Sequence, residues 1–321
     1  MKRSTFLTGV AAGSAFAPVG ARTVAPAEDY PKRPITLIVP WGPGGGADQV
    51  GRAVTKAMEP IIKASMPVIN VPGADGNNGM VKLVTGDADG YTMAVFTADT
   101  FVGNITSKVP PPWKMSEIVP LAVMNQQPFA YYVAKNSPFA TWADFQKAAK
   151  SKQMRVAVDS FGSAHDVATR FFMAKGHLEL IEVPFPKPGE RYAALLGNQV
   201  DLMCDADGNV RSYVQSGQMR ALTVFENHRV PQLGNDVPTA TELGYPIVLR
   251  EWRAFVIKAG TDPAKVAFLA DALGKTYKTA DFQDFLKSSW CEPDSYVPRE
   301  RIQAFFPGQK HAIDRLVAAA R

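Results

Sequence analysis

The run Pro40-Trp41-Gly42-Pro43-Gly44-Gly45-Gly46-Ala47-Asp48 is the sharpest local feature of the chain. It lies between an apolar run of strand length, 35–39, and an amphipathic segment, 47–62, that reads as a helix. Glycines there let backbone N–H groups converge at a helix N-terminus, where unsatisfied amides and the helix dipole favour an anion. The chemistry on offer is anion capture, with Trp41, Gly42, Gly44, Gly45, Gly46, Ala47 and Asp48 as candidate contacts. A flexible turn between strand and helix would use the same residue types. Gly42-x-Gly44-x-x-Ala47 also satisfies a relaxed dinucleotide fingerprint, but the second strand, 68–71, carries no acid at its end to hold a ribose, and no Gly-Lys-Ser/Thr is present.

Other polar clusters follow other apolar runs. Pro72-Gly73-Ala74-Asp75-Gly76-Asn77-Asn78-Gly79 opens onto a helix-like segment, and Thr97 ends the run 92–96 with a hydroxyl. Asp159-Ser160-Phe161-Gly162-Ser163-Ala164-His165 begins another helix, in which Ser160 and Ser163 can cap the N-terminus or bind a ligand oxygen. It is no nucleophile elbow, because Gly-x-Ser-x-Gly is absent and no third partner is evident. Asp205-Ala206-Asp207-Gly208-Asn209 misses the calcium-loop spacing and reads as a loop with Asp205 facing a cleft. Glu251-Trp252-Arg253 supplies a guanidinium that can pair bidentately with a carboxylate or with a neighbouring aspartate. Four histidines, at 165, 177, 228 and 311, and two cysteines, Cys204 and Cys291, fall into no metal-binding or redox spacing, so no metal and no cofactor are expected and both thiols are read as free.

These loops must be positioned by the elements between them. From Pro34 onward, short apolar runs alternate with helix-length amphipathic segments, the pattern of an α/β fold. Strands are expected at 35–39, 68–71, 92–96, 129–133, 155–158, 181–183, 200–204, 221–224 and 254–257; helices at 47–62, 142–150, 164–175, 263–277 and 302–319. A length of 321 residues suits two lobes, each a mainly parallel sheet flanked by helices. No linker separates them, so the chain should cross near 126–130 and return near 250–253. That gives a discontinuous first lobe, 28–130 plus 252–321, and a continuous second lobe, 131–251, with a cleft between. Ligands of open α/β sheets bind at such strand ends.

Composition narrows the classes further. Hydrophobic residues make up 46% and charged residues 20%, which excludes a disordered chain. Residues 1–27 have a basic start and a small-residue apolar stretch, the layout of a signal peptide, with Sec and twin-arginine export both open. Its removal would take away Lys2, Arg3 and Arg22, lowering the 35 basic residues by three, to 32, against 30 acidic. The formal charge then falls from +5 to +2, too little for a nucleic-acid binder.

Six motifs in register give the chain a resemblance along its whole mature length. They are 35–40 with Pro43-Gly44-Gly45 and Asp48; Pro72-Gly73-Ala74 with Gly76-Asn77 and Gly79; Asp89-Gly90-Tyr91-Thr92; Gly197-x-Gln199-Val200-Asp201-Leu202-Met203; Asp236-Val237-Pro238-Thr239; and Gly260-Thr261-x-Pro263. The chain resembles the substrate-binding proteins of tripartite tricarboxylate transporters, the Bug family of exported bacterial receptors. The resemblance implies a two-lobed periplasmic binding protein of Venus-flytrap type, not an enzyme, monomeric, that closes on a small carboxylate. It implies delivery to a membrane permease with a large and a small subunit. It carries over to the first loop, and to Asn77, Thr97, Ser160, Ser163, His165 and Asp205 as positions around the cleft; Trp252-Arg253 resembles the branch associated with tricarboxylates. The ligand is left open among dicarboxylates, tricarboxylates and aromatic acids. A receptor that reports to a signalling partner and a nucleotide-dependent enzyme are the alternatives.

Overall fold

The computed structural model describes residues 30–320. The leader read at 1–27 lies outside the described residues. Among those described, no helix is long and apolar enough to cross a membrane.

The fold is α/β and two-lobed, and a single long strand joins its halves. In chain order the first part comprises β1 (Thr36–Val39), α1 (Gly46–Ile62), β2 (Val68–Asn70), α2 (Asn77–Thr85), β3 (Thr92–Thr97), α3 (Ala98–Thr106) and β4 (Ile118–Ala134). Then come α4 (Trp142–Ala149), β5 (Met154–Val158), α5 (Ala164–Gly176), β6 (Leu180–Pro184), α6 (Pro188–Leu196), β7 (Leu202–Ala206), α7 (Asp207–Gln215) and β8 (Met219–Val224). The chain returns through β9 (Arg250–Lys258) and ends with α8 (Pro263–Tyr277), α9 (Ala280–Ser288), β10 (Val297–Pro298) and α10 (Arg299–Ala319).

Strand order is β2-β1-β3-β9-β4-β7-β5-β6, with β8 and β10 also paired to β4. The outer strands pair in parallel, as βα units require, whereas β9 lies antiparallel between β3 and β4. Each half is thus a mixed sheet: β9 runs against its neighbours in the first, and β4 runs against β7 and β8 in the second. The first part of β4, through Pro128, pairs with β9; from Phe129 onward it pairs with β7 and β8. Apolar residues on both faces of the strands explain the layers. Leu37, Val39, Val54, Met58, Leu269 and Phe282 form one core of the first half, and Phe96, Phe101, Trp252 and Phe306 form the core on its opposite face. In the second half Tyr131 stacks on Trp142 at 5.5 Å and Phe172 on Tyr245 at 4.2 Å.

Local chemistry sets the helix starts. Thr141 and Asp144 form a capping box at α4, and Asp262 caps α8 with Pro263 at its first position. Helix α10 is shared: Ile302 and Phe306 join the first half's core, while Ile313 and Leu316 join the second's. Beside the crossing, Arg250 reaches the fully buried Glu226 and, at 2.8 Å, Asp294, while His228 Nε2 lies 3.2 Å from Glu292.

Candidate functional site

The first loop is built to present backbone. Gly45 caps α1 without a side-chain hydrogen bond, so the first-turn amides have no internal partner. Asp48 is buried and spends its carboxylate on the loop: Oδ2 accepts from the Gly44 amide and Arg52 Nε, both at 2.9 Å, and Oδ1 accepts from Asn70 Nδ2 at 3.0 Å. Asn70 also donates to the Trp41 carbonyl at 2.9 Å, and Trp41 Nε1 donates to Thr97 Oγ1 at 3.2 Å. The side chain of Ala47 packs in the first half's core. Of the residues read as contacts, Ala47 and Asp48 therefore hold the loop. Gly44 has φ +78°, a left-handed conformation that only glycine adopts without strain, and Gly42 and Gly44 have open space where a Cβ would sit.

Gly46 faces the opposite wall. A Cβ there would lie 2.3 Å from Arg253 Nη2 and 2.5 Å from Asn209 Oδ1. Arg253, on β9, is buried; its Nη1 donates to Gln127 Oε1 at 2.8 Å and its Nη2 to Asn209 Oδ1 at 3.4 Å. Asn209 belongs to α7 of the second half, so three elements meet at the first turn of α1. Arg211 Nη2 to Gln49 Oε1, at 3.5 Å, is a second contact of this kind, and Thr106 Oγ1 to the Gly162 carbonyl is a third. In this conformation the space bounded by Gly46, Gln49, Val50, Gln127, Asn209 and Arg253 is about 10 Å³, about enough for one water.

The second-half loop is self-satisfied in part. Ser163 caps α5, accepting from the Asp166 amide at 3.3 Å while donating to the Ser160 carbonyl at 2.8 Å. The Ser160 amide donates to Asp159 Oδ1 at 2.8 Å. His165 is buried against the edge of Phe129, with Nδ1 3.2 Å from Asp159 Oδ1. Thr97 likewise caps α3 through the Thr100 amide. Asn77 accepts from Trp113 Nε1 at 2.7 Å and donates to the Ala74 carbonyl at 2.9 Å. Asp205 accepts from Arg191 Nη2 at 2.7 Å and from Asn209 Nδ2 at 2.9 Å, which orients Asn209 toward Arg253. Gln127, Asn209 and Arg191 are the residues that sequence reasoning did not single out. Asn209 stood in the quoted Asp205 loop, but an amide has no spacing signal of its own.

The electrostatics are unusual for an anion site. Asp99, Asp159, Asp205 and Glu251 act on one another, with Arg191 and Arg253 as the guanidiniums among them. Burial raises Asp205, but Arg191 beside it holds the carboxyl below its usual range. Burial pushes Glu251 up to about 7, with Arg253 pulling against it. Asp99 is pushed well above the carboxylate range by burial and by Glu251, and burial drives His165 toward its neutral form.

The sequence pattern of the tripartite tricarboxylate transporter family receptor matches residues 50–307. The protein BugT of Bordetella pertussis is 28% identical over 262 residues, covering 80% of each chain. The solved structure of the periplasmic binding protein BugD superposes with a TM-score of 0.82 at 25% identity, covering 91% of this chain and 98% of that one. MatC of Rhodopseudomonas palustris, solved with bound malate, shares the fold at a TM-score of 0.79 and 24% identity, over 91% of this chain and all of its own.

Proposed function

This chain belongs to the tripartite tricarboxylate transporter receptor family, and from that premise we propose that it is an exported, non-catalytic receptor. It captures a small carboxylate between its lobes in the periplasm and hands it to the large and small membrane subunits of a transporter. It acts as a monomer, with lobes of 28–130 plus 252–321 and 131–251.

One observation carries the reading: the Gly45-Gly46 start of α1 faces the buried Arg253 guanidinium. Amides at a helix N-terminus and a guanidinium together present converging donors to a carboxylate. Asn209 comes from the other lobe, so an acid that touches it as well as Arg253 stabilises closure by the difference between the contacts it makes in the closed and open forms. Trp41, Gly42, Gly44, Gly45, Ser160 and the amide-bearing loops line the approach, while Ala47, Asp48, Asn77, Thr97, Ser163, His165 and Asp205 hold the lining in place.

Thermal unfolding of the leader-free protein against aliphatic di- and tricarboxylates, malate and adipate among them, aromatic acids, amino acids and NAD is the test. A ligand at 100 times its Kd adds ~2.7 kcal/mol, a rise of a few degrees. A rise in Tm with a carboxylate is expected; a shift with NAD alone would overturn the reading.

A further inference from the structure

Three metal-capable side chains converge from separate segments. Asp99 lies in the first turn of α3, Asp159 follows β5, and His165 lies in the first turn of α5; one donor atom of each falls within 4.8 Å of the other two. Their positions in the chain, 60 and 6 residues apart, form no local metal motif.

A second, independent observation points to an occupant. His165 is 2% exposed, and its Nδ1, though 3.2 Å from Asp159 Oδ1, makes no well-aligned hydrogen bond among the described residues. Asp99 Oδ1 is buried without one, and so is Oε2 of Glu251, a residue 3% exposed whose charge acts most strongly of all neighbours on Asp99. Buried polar atoms are nearly always satisfied, so several orphans around one point call for an explanation.

We propose that Asp99, Asp159 and His165 bind one divalent metal ion of the zinc or manganese class, bridging the two lobes, with Glu251 beside it. A mixed imidazole and carboxylate set suits these metals. Tetrahedral bonds of ~2.1 Å place donor atoms ~3.4 Å apart, so donors that now lie within 4.8 Å of one another have to close by at most about 1.4 Å. Asp99 comes from the first half and Asp159 and His165 from the second, so binding tightens as the lobes meet, and the remaining coordination position is open to an oxygen of the captured acid. The sequence reading expected no metal because it looked for histidine and cysteine spacing, whereas the fold assembles these donors.

The test needs no carboxylate. Leader-free protein is stripped with EDTA and titrated calorimetrically with ZnCl2, MnCl2 and MgCl2, and CoCl2 absorption is recorded in the visible. One zinc or manganese ion per chain is expected, with affinity lowered at least about tenfold in Asp99→Asn and in His165→Gln. Cobalt bands should change in His165→Gln, with unchanged far-UV circular dichroism in both metal-free variants. Absence of zinc and manganese binding in the wild type would overturn the proposal. So would affinity that neither variant alters, or an ammonium-bearing ligand that binds the metal-free protein and loses its affinity in Asp99→Asn. Because the carboxylate panel is a separate measurement, silence there with metal binding intact would count against the receptor reading alone.

Discussion

Replacing Gly46 with alanine tests the contact between the two halves at the start of α1. The added Cβ would sit 2.3 Å from Arg253 Nη2, 2.5 Å from Asn209 Oδ1 and 3.0 Å from Arg253 Cζ, where ordinary contacts need about an ångström more. Arg253 is buried, and moving it stretches the 2.8 Å bond to Gln127; moving Asn209 disturbs its 2.9 Å bond to Asp205. A hydrogen bond to a charged group contributes about 1.5–3 kcal/mol, so the closed form loses that much and affinity for the captured acid falls roughly 10- to 100-fold. Arg253 shares the first half with Gly46, so that part of the clash weighs on the ligand-free protein too, offset by the better helix propensity of alanine, about 0.5–1 kcal/mol, whereas the clash with Asn209 weighs on closure alone. The ligand-free Tm should therefore fall by less than the loss of affinity implies, which calorimetry and melting curves on the same sample resolve. Affinity within twofold of wild type would refute the argument that closure brings Asn209 and Arg253 onto this turn.

Three further outcomes follow from the buried charges and thiols. Arg250→Ala leaves the fully buried Glu226 without its guanidinium and should cost about 3–5 kcal/mol in denaturant unfolding, well above a surface ion-pair loss. Glu182 is raised to about 8 by burial and by hydrogen bonding with Asp166; the folded state thus holds a proton that the unfolded chain releases near 4.5. Its contribution is present below pH 4.5 and lost as the pH rises through 8, so Glu182→Gln should flatten the fall in Tm between pH 5 and pH 8. Burial pushes the Cys291 thiol up to about 12 and Cys204 well above its ordinary range; Ellman's reagent at pH 8 should find no reactive thiol in the native protein and two after denaturation.

The β1 and α1 segments were legible because a run of five residues, four apolar and one β-branched threonine, and a clean helical period leave little choice of state. Strand β4 was legible only at 129–133, although it runs Ile118–Ala134. Its middle reads Asn125-Gln126-Gln127-Pro128, polar enough to look like a loop, but these side chains are buried and hydrogen-bonded: Gln126 Nε2 donates to the Ser295 carbonyl at 3.1 Å and Gln127 Nε2 to that of Ser289 at 2.6 Å. Tertiary partners satisfied what pattern alone would expose. The nine-residue helices α3, α6, α7 and α9 went unread for a related reason, being too short to show a period and dependent on packing and caps such as Thr97 and Thr279. At the site, the glycine loop and Arg253 could be found from residue type. What each side chain does could not, since whether a serine caps a helix or meets a ligand is decided by neighbours far away in the chain.

The placement of β9 also governs when the molecule can exist. The first half's sheet has β9 at its centre, between β3 and β4, so it is incomplete until residue 258 has been made. The second half's core includes Ile313 and Leu316, and so waits for nearly the last residue. A chain emerging from its N-terminus thus passes almost entirely out of the ribosome before either half can close. Many of its contacts then join distant segments, a topology that slows folding. Such a polypeptide stays threadable until β9 and α10 have been made.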